Sequence, residues 1–186
     1  MKLKEMRIQK KSKWRKMEMY SNSYPILQNR KNVVSENPET PSKRINVVKI
    51  KMVKDSSFLY GKRRICDPYD AFELGKVLME ETDREQLLVC CLDTKNQPIT
   101  LNVVSVGSLN SSVVHPREIF KTAILSNAAS IILYHNHPSG DPTPSAEDLN
   151  ATERIRDCGK LMGIELLDHV IIGDDTYYSM REKGKI

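Results

Sequence analysis

The sequence YHNHPSGDPTPSAED (residues 134–148) connects a buried apolar stretch to a helical one through a loop rich in proline and glycine. The apolar run before the loop predicts a strand. Because side chains alternate along a strand, His135 and His137 should lie on the same side of it. Ser145, with Asp148 three residues later, is a variant of the capping box that begins a helix. The loop could therefore fold the start of this helix back over the end of the strand.

Such a fold would bring two imidazoles and one carboxylate together. His135, His137 and Asp148 would leave the fourth tetrahedral position of a bound ion open for water, as in catalytic rather than structural zinc sites. Each piece also has a structural explanation, because histidines at strand ends often form hydrogen bonds and a helix start favours serine and aspartate. Their occurrence together in one short pattern favours a metal site.

Strands and helices alternate along the rest of the chain. The apolar pattern predicts strands at 45–54, 85–93, 98–107, 130–137, 164–173 and 176–182, and helices at 67–82, 115–129 and 145–163. This order predicts an α/β or α+β fold around one mixed sheet. Asp168 and His169 fall in one of the predicted strands. We expect a structural or surface role for them, and orientation of a metal ligand is the alternative.

Length and composition exclude several classes of protein. A chain of 186 residues suffices for one ordinary domain. Its apolar runs are far shorter than the roughly 20 residues that span a bilayer, and no secretory signal is visible, so we predict a cytoplasmic protein with no membrane partner. The four cysteines lack CxxC spacing, which favours reduced, buried thiols. Cys90 and Cys91 are adjacent in a predicted strand and should point to opposite faces.

Positive charge is concentrated at the start of the chain. Residues 1–50 carry 13 lysines and arginines against 4 glutamates, whereas the remainder carries 16 against 20 acidic residues. We predict an irregular, disordered leader and linker over 1–44 and a folded domain over 45–186. The leader could be an arm that contacts DNA or another polyanion. We favour the alternative that it is solvated, disordered chain, or that an upstream start codon was chosen in error, with Met17 and Met19 as the other candidate starts.

The motif also carries a resemblance to a known superfamily. HNHPSGDPTPSAED (135–148) matches H-x-H-P-x6-S-x2-D, the metal-binding signature of the JAMM (JAB/MPN-type) metalloproteases. LNSSVVHPREIFKTAILSNAASIILYHNHPSGDPTPSAEDLNATERI (109–155) and GIELLDHVIIGDDTYYSMRE (163–182) resemble the C-terminal domain of the bacterial RadC family. The resemblance covers 45–186. It implies a JAB/MPN-like mixed sheet flanked by helices, a cytidine-deaminase-like α/β/α sandwich, with one zinc ion and metallohydrolase or metallopeptidase activity.

The resemblance also assigns roles within the motif. It implies that His135, His137 and Asp148 are the zinc ligands. Ser145 would then hydrogen-bond the reacting oxygen or the oxyanion of a tetrahedral intermediate.

The superfamily also uses an upstream glutamate, at the head of a strand beside the zinc, as general acid and base. Glu85 begins a predicted strand and is the best match. Glu80 and Glu81 fall on the preceding helix, where solvated carboxylates are ordinary. Glu118 lies in the first turn of a helix, where it suits the helix dipole.

We therefore predict a zinc-dependent hydrolase that cleaves a peptide or isopeptide bond in a peptide or protein substrate. The alternative is a DNA-associated accessory protein, in repair or mobile-element biology, whose metal is not catalytic. A peptide-binding module with an inactive site is a third possibility. Full-length RadC proteins carry a helix-hairpin-helix-like region ahead of this domain. Residues 1–50 are too short and too polar for one, so we expect a short form.

Overall fold

The computed structural model describes residues 46–79, 82–107 and 115–186. The chain divides into two units, Met1–Lys49 and Ile50–Ile186. The described residues of the first unit, 46–49, are exposed and lie outside helices and strands. The predicted leader over 1–44 lies outside the described residues. None of the helices in the described ranges has the length and apolar character needed to cross a membrane.

The described residues of the second unit form three helices and five strands. In chain order they are α1 (Pro68–Met79), β1 (Gln86–Leu92), β2 (Pro98–Val106), α2 (Pro116–Leu125), β3 (Ser130–Asn136), α3 (Ala146–Met162), β4 (Glu165–Ile172) and β5 (Tyr177–Ser179).

The strands form one mixed sheet in the order β2-β1-β3-β4-β5. Strands β1 and β2 form an antiparallel hairpin, and β1 also pairs antiparallel with β3. Strands β3 and β4 are parallel, with α3 as the crossover between them, and β5 returns antiparallel to β4. The mixed α/β fold predicted from the sequence is therefore confirmed.

Two hydrophobic cores lie on opposite faces of the sheet. Helix α1 packs on one face, where Phe72 and Tyr134 are buried with Cys90. Helices α2 and α3 cover the other face, where Phe120 and Cys91 are buried. The adjacent cysteines thus point to opposite faces, as predicted. The cores make an α/β/α arrangement in which the central strands β1 and β3 are buried on both sides.

The ends of the helices follow local chemistry. Asp67 Oδ1 accepts a hydrogen bond from the Asp70 amide at 2.8 Å, which caps α1. His115 Nδ1 accepts one from the Arg117 amide at 3.2 Å and caps α2. Helix α3 ends at Gly163, whose φ of 68° is in the left-handed region that glycine adopts without strain.

Some predictions from the sequence are wrong. Residues 46–54 form no strand, although their apolar residues alternate, and Val53 remains 82% exposed. Alternation alone does not supply a neighbouring strand to pair with. The last strand is only three residues long, because the chain enters a turn after Ser179. All four cysteines are free, but Cys66 is exposed rather than buried.

Candidate metal centre

His135, His137 and Asp148 form a cluster at the carboxyl end of β3. One potential ligand atom from each lies within 4.8 Å of the others, so the cluster could hold a metal ion. His135 Nδ1 lies 3.2 Å from Asp148 Oδ1, and His137 Nε2 lies 3.6 Å from Asp148 Oδ2. The side chains of His135 and Asp148 are 1% and 2% exposed. The three residues that the sequence pattern singled out are therefore brought together in the structure.

The capping box of α3 holds the carboxylate of Asp148 in place. Asp148 occupies the third helical position, and its amide donates to Ser145 Oγ at 3.1 Å. In return, Asp148 Oδ2 accepts hydrogen bonds from the Ser145 amide at 2.8 Å and the Ser145 hydroxyl at 2.7 Å. The box thus caps the helix and also orients an acid toward the two histidines. The structural explanation of Ser145 and Asp148 as a capping box is therefore confirmed.

Asp148 is held as an anion. Burial would raise its pKa, but the neighbouring His135 and His137 and the hydrogen bonds from Ser145 outweigh burial and hold the pKa well below its ordinary value. An ionised carboxylate is the form that coordinates a cation.

His137 is oriented by a backbone carbonyl. Its Nδ1 lies 2.6 Å from the carbonyl oxygen of Asp141, so the proton of a neutral ring lies on Nδ1 and the lone pair on Nε2, the atom that faces Asp148. A metal-bound histidine usually donates its other ring N–H in this way. The pKa of His137 is raised chiefly by Asp148, against the effect of burial, with smaller contributions from the Asp141 carbonyl and the charge of Glu85.

The hydrogen bonding of His135 indicates whether a metal ion fits the cluster. Neither of its ring nitrogens forms a hydrogen bond within the described residues, although the ring is buried and Nδ1 is close to Asp148. An unsatisfied buried polar atom costs about 1–3 kcal/mol. Coordination of an ion shared with Asp148 and His137 would satisfy one of these nitrogens. Two imidazole nitrogens and one carboxylate oxygen also match the donor set of catalytic zinc sites.

Glu85 lies beside the cluster. It precedes β1, and because Leu87 pairs with His135 across the antiparallel strands, the register places Glu85 level with His137. Leu87 is buried in the core on the α3 face of the sheet, and residues two apart share a face. Glu85 therefore lies on the same face of the sheet as α3, the helix that carries Asp148. Its backbone carbonyl accepts a hydrogen bond from the Gly107 amide at 2.8 Å.

Asn136, between the two histidines, holds the segment that carries Glu85. Its Oδ1 accepts from the Gln86 amide at 2.6 Å, while its Nδ2 donates to Thr82 Oγ1 at 2.8 Å and to the Arg84 carbonyl at 3.0 Å. Asn136 was not among the residues predicted from the sequence. The only signal was its position within the HNH motif, on the face of β3 opposite the histidines.

Hydrogen bonds through Thr152 also connect Asp148 to β4. The hydroxyl of Thr152 donates to the Asp148 carbonyl at 2.6 Å, so its oxygen accepts from the Nδ1–H of His169 at 2.7 Å. His169 Nε2 then carries the lone pair, is buried, and has no hydrogen-bond partner in the described residues. The ring of His169 stacks against that of His135, with centroids 6.2 Å apart. Burial in this setting lowers the pKa of His169 to about 3.

Asp168 and His169 are both buried, which excludes the surface part of the expected structural or surface role and leaves the structural part. Asp168 has a structural role: its carboxylate accepts hydrogen bonds from the Ser179 hydroxyl at 2.6 Å and the Arg181 amide at 3.0 Å, which fix the end of β5.

Two glycines set the path of the loop between His137 and Ser145. Gly140 has a φ of +83°, and its carbonyl lies so close to Gly173 that a Cβ at Gly173 would be 2.1 Å from it. The Asp174 amide donates to the same carbonyl at 3.3 Å. The loop is thus anchored to the end of β4 by backbone contacts that exclude a side chain at Gly173.

Among the described residues, Glu118 is not part of this cluster. Glu118 lies in the first turn of α2, where it forms ion pairs with Arg117 and Lys121. Glu80 and Glu81 lie outside the described residues.

Comparison with known proteins decides the family. Residues 65–185 match the family model described as the RadC-like JAB domain. The chain belongs to the RadC-like JAB domain family. His135, His137 and Asp148 all lie within the matched range.

Curated relatives of this RadC-like JAB chain include proteins of Methanosarcina and Clostridium species. A UPF0758 protein of Methanosarcina barkeri is 51% identical over 123 residues, which is 66% of this chain and 54% of the relative. One from Clostridium acetobutylicum is 55% identical over 121 residues, or 65% of this chain and 53% of the relative. The chain therefore spans about half the length of the curated relatives it matches. Their names state no activity.

Proposed function

We propose that the chain is a zinc-dependent hydrolase that cleaves amide bonds of a peptide or protein, as a metallopeptidase or isopeptidase. The observation that carries the proposal is the juxtaposition of one buried and one partly buried imidazole with an ionised, pre-oriented carboxylate, with both ring nitrogens of His135 lacking hydrogen-bond partners in the described residues. His135, His137 and Asp148 would hold the ion.

Zinc in such a site supplies an acidified water molecule and polarises the substrate carbonyl. Residues of the chain would carry out the proton transfers. Glu85, at the head of β1, would accept a proton from the attacking water and pass it to the leaving amine. Asn136 holds the backbone on either side of Glu85, and this would position the carboxylate toward that water.

Ser145 would stabilise the oxyanion. Its hydroxyl donates to Asp148 Oδ2, but the Ser145 amide donates to the same oxygen. The hydroxyl can therefore turn to the developing negative charge while Asp148 keeps one hydrogen bond from the cap. A single donor of this kind contributes about 100- to 1,000-fold in kcat.

Exchange of Glu85 for glutamine separates catalysis from metal binding. Glu85→Gln should retain zinc at the wild-type level and lose turnover of a cleavable peptide, because the amide cannot take the proton. Peptide-library profiling of the wild type would supply the substrate, and metal analysis would run on the same samples. Glu118→Gln, on α2 outside the cluster, is the matched control and should keep both properties. Full turnover by Glu85→Gln would refute the proposed base.

A further inference from the structure

A second polar site lies at the other end of the sheet. Leu87 pairs with His135 near the metal cluster, whereas Leu92, five residues later, pairs with Ser130. At about 3.3 Å per residue, the turn after Leu92 is roughly 17 Å from the cluster. A cavity of about 600 Å³ opens beside this turn. The cavity is therefore separate from the proposed catalytic site.

The lining of this cavity is strongly basic. Lys62, Arg63, Arg64 and Lys95 line it, together with a single acidic residue, Asp70. Asp70 is already neutralised, because Lys62 forms an ion pair with it and the Cys66 amide donates to it at 2.9 Å. Arg63, Arg64 and Lys95 form no ion pair with any described residue. These three cations are thus not neutralised by an ion pair in the described part of the chain, although the charge of Lys95 interacts with Asp93 and Arg64 Nε donates to Cys66 Sγ at 3.1 Å.

Hydrogen bonds hold together the two backbone segments that line the cavity. The Ile65 amide donates to the Asn96 carbonyl at 2.9 Å, which joins the segment before α1 to the β1–β2 turn. Asp93 Oδ1 accepts from the Lys95 and Gln97 amides at 2.8 and 2.9 Å and fixes the turn. The side chain of Ile65 is buried in the core at 7% exposure. The arginines and Lys95 are therefore presented from two segments that are held together.

Charge and aromatic character indicate the ligand. Residues 51–66 carry five lysines and arginines against one aspartate, whereas 67–186 carries 11 basic against 19 acidic residues. Lys51 and Lys54 lie in the exposed segment that precedes the cavity residues in the chain. Tyr69 is 53% exposed, and its ring lies 5.5 Å from Lys62 Nζ at the rim. A basic groove beside an exposed aromatic ring is the arrangement that binds single-stranded nucleic acid.

We propose that this basic cavity binds a single-stranded nucleic acid, with backbone phosphates at Arg63, Arg64 and Lys95 and a base stacked on Tyr69. The cavity is independent of the metal cluster. It is also distinct from the basic leader, which lies outside the described residues.

Fluorescence anisotropy on the full chain with a short labelled single-stranded oligonucleotide tests this. Arg63→Glu combined with Arg64→Glu should weaken binding by about tenfold or more. Lys95→Ala should reduce the slope of log affinity against log salt by about 0.7, the value for one phosphate contact on a single strand. Tyr69→Ala should weaken binding and Tyr69→Phe should retain it, since only the ring is needed.

The controls keep this proposal separate from the hydrolase. Arg154→Glu removes an exposed arginine on α3 and should bind the oligonucleotide like the wild type. Asp148→Ala should lose zinc yet bind the oligonucleotide normally, whereas the cavity variants should retain zinc, which also shows that they fold.

Three results would overturn the proposal. The first is wild-type binding by the Arg63/Arg64 double variant, which would assign any affinity to the leader. The second is equal binding of heparin, which would indicate a general polyanion surface. The third is competition by a free mononucleotide at the same concentration of phosphate, which would indicate a small-molecule site.

Discussion

Asn136 connects the strand that carries the two histidines to the segment that carries Glu85. Its three hydrogen bonds connect β3 to the segment 82–86, where Glu85 lies. Asn136→Ala should lower kcat by about 10- to 100-fold, because a base displaced by about 1 Å loses its alignment. The zinc content should not change. Thr82→Val, which removes one of the three bonds, should have a smaller effect in the same assay. Loss of zinc by Asn136→Ala would contradict a role limited to Glu85.

His169 makes the metal-free protein sensitive to acid. Its pKa is lowered to about 3 by burial, below the ordinary value of about 6.5, so the folded state binds fewer protons than the unfolded state between these values. Its contribution to stability is therefore present above about pH 6.5 and is lost as the pH falls toward 3.

Urea unfolding at several pH values measures this contribution. From pH 7 to pH 5, His169 should reduce the free energy of unfolding of the metal-free protein by about 2 kcal/mol. His169→Asn should show a correspondingly smaller decline, since the amide does not titrate. In NMR spectra, the ring of His169 should not titrate above about pH 5. A midpoint near 6.5 would contradict the burial of an unprotonated ring.

Among single residues, the sequence predicted what is local and missed what is distant. His135, His137, Ser145 and Asp148 lie within fourteen positions and form a recognisable spacing. The partnership of His169 with Thr152 depends on how β4 packs against α3, which no spacing in the sequence reveals.

At the scale of elements, the loop from β3 to α3 sets the geometry of the cluster. Gly173→Ala would place a Cβ 2.1 Å from the Gly140 carbonyl, so the loop must move. Zinc affinity should fall by about 10- to 100-fold, as when supports of a metal ligand are lost. Competition with a chromogenic chelator measures the change. Gly61→Ala, where a Cβ meets nothing within 4 Å, is the control and should bind zinc normally. Unchanged affinity in Gly173→Ala would show that the loop does not position the ligands.

The helices and central strands could be predicted because capping residues and apolar patterns are local features of the sequence. The cap at Ser145 and the glycine at Gly163 fix both ends of α3. The alternating residues 46–54 gave a false strand, because pairing requires a neighbour that the pattern does not specify. The order of the strands and the β3–β4 parallel pair likewise depend on contacts far apart in sequence.

At the scale of the whole molecule, a bound ion should stabilise the fold. The ligands come from the end of β3 and the start of α3, so an ion would hold the helix against the sheet. At a zinc concentration 100 times Kd, the free energy of unfolding should rise by about 2.7 kcal/mol. Thermal unfolding with zinc and after chelation measures it. Asp148→Asn keeps a hydrogen-bonding side chain at the capping box but should lose most of this increment. An equal zinc effect in both proteins would indicate binding elsewhere.

Metal quantification with zinc X-ray absorption shows whether His135, His137 and Asp148 hold one ion. We expect one zinc per chain with two imidazole nitrogens among its ligands, and loss of the zinc in both His135→Ala and Asp148→Ala. A folded wild type that takes up no zinc, or zinc retained unchanged in both variants, would contradict it.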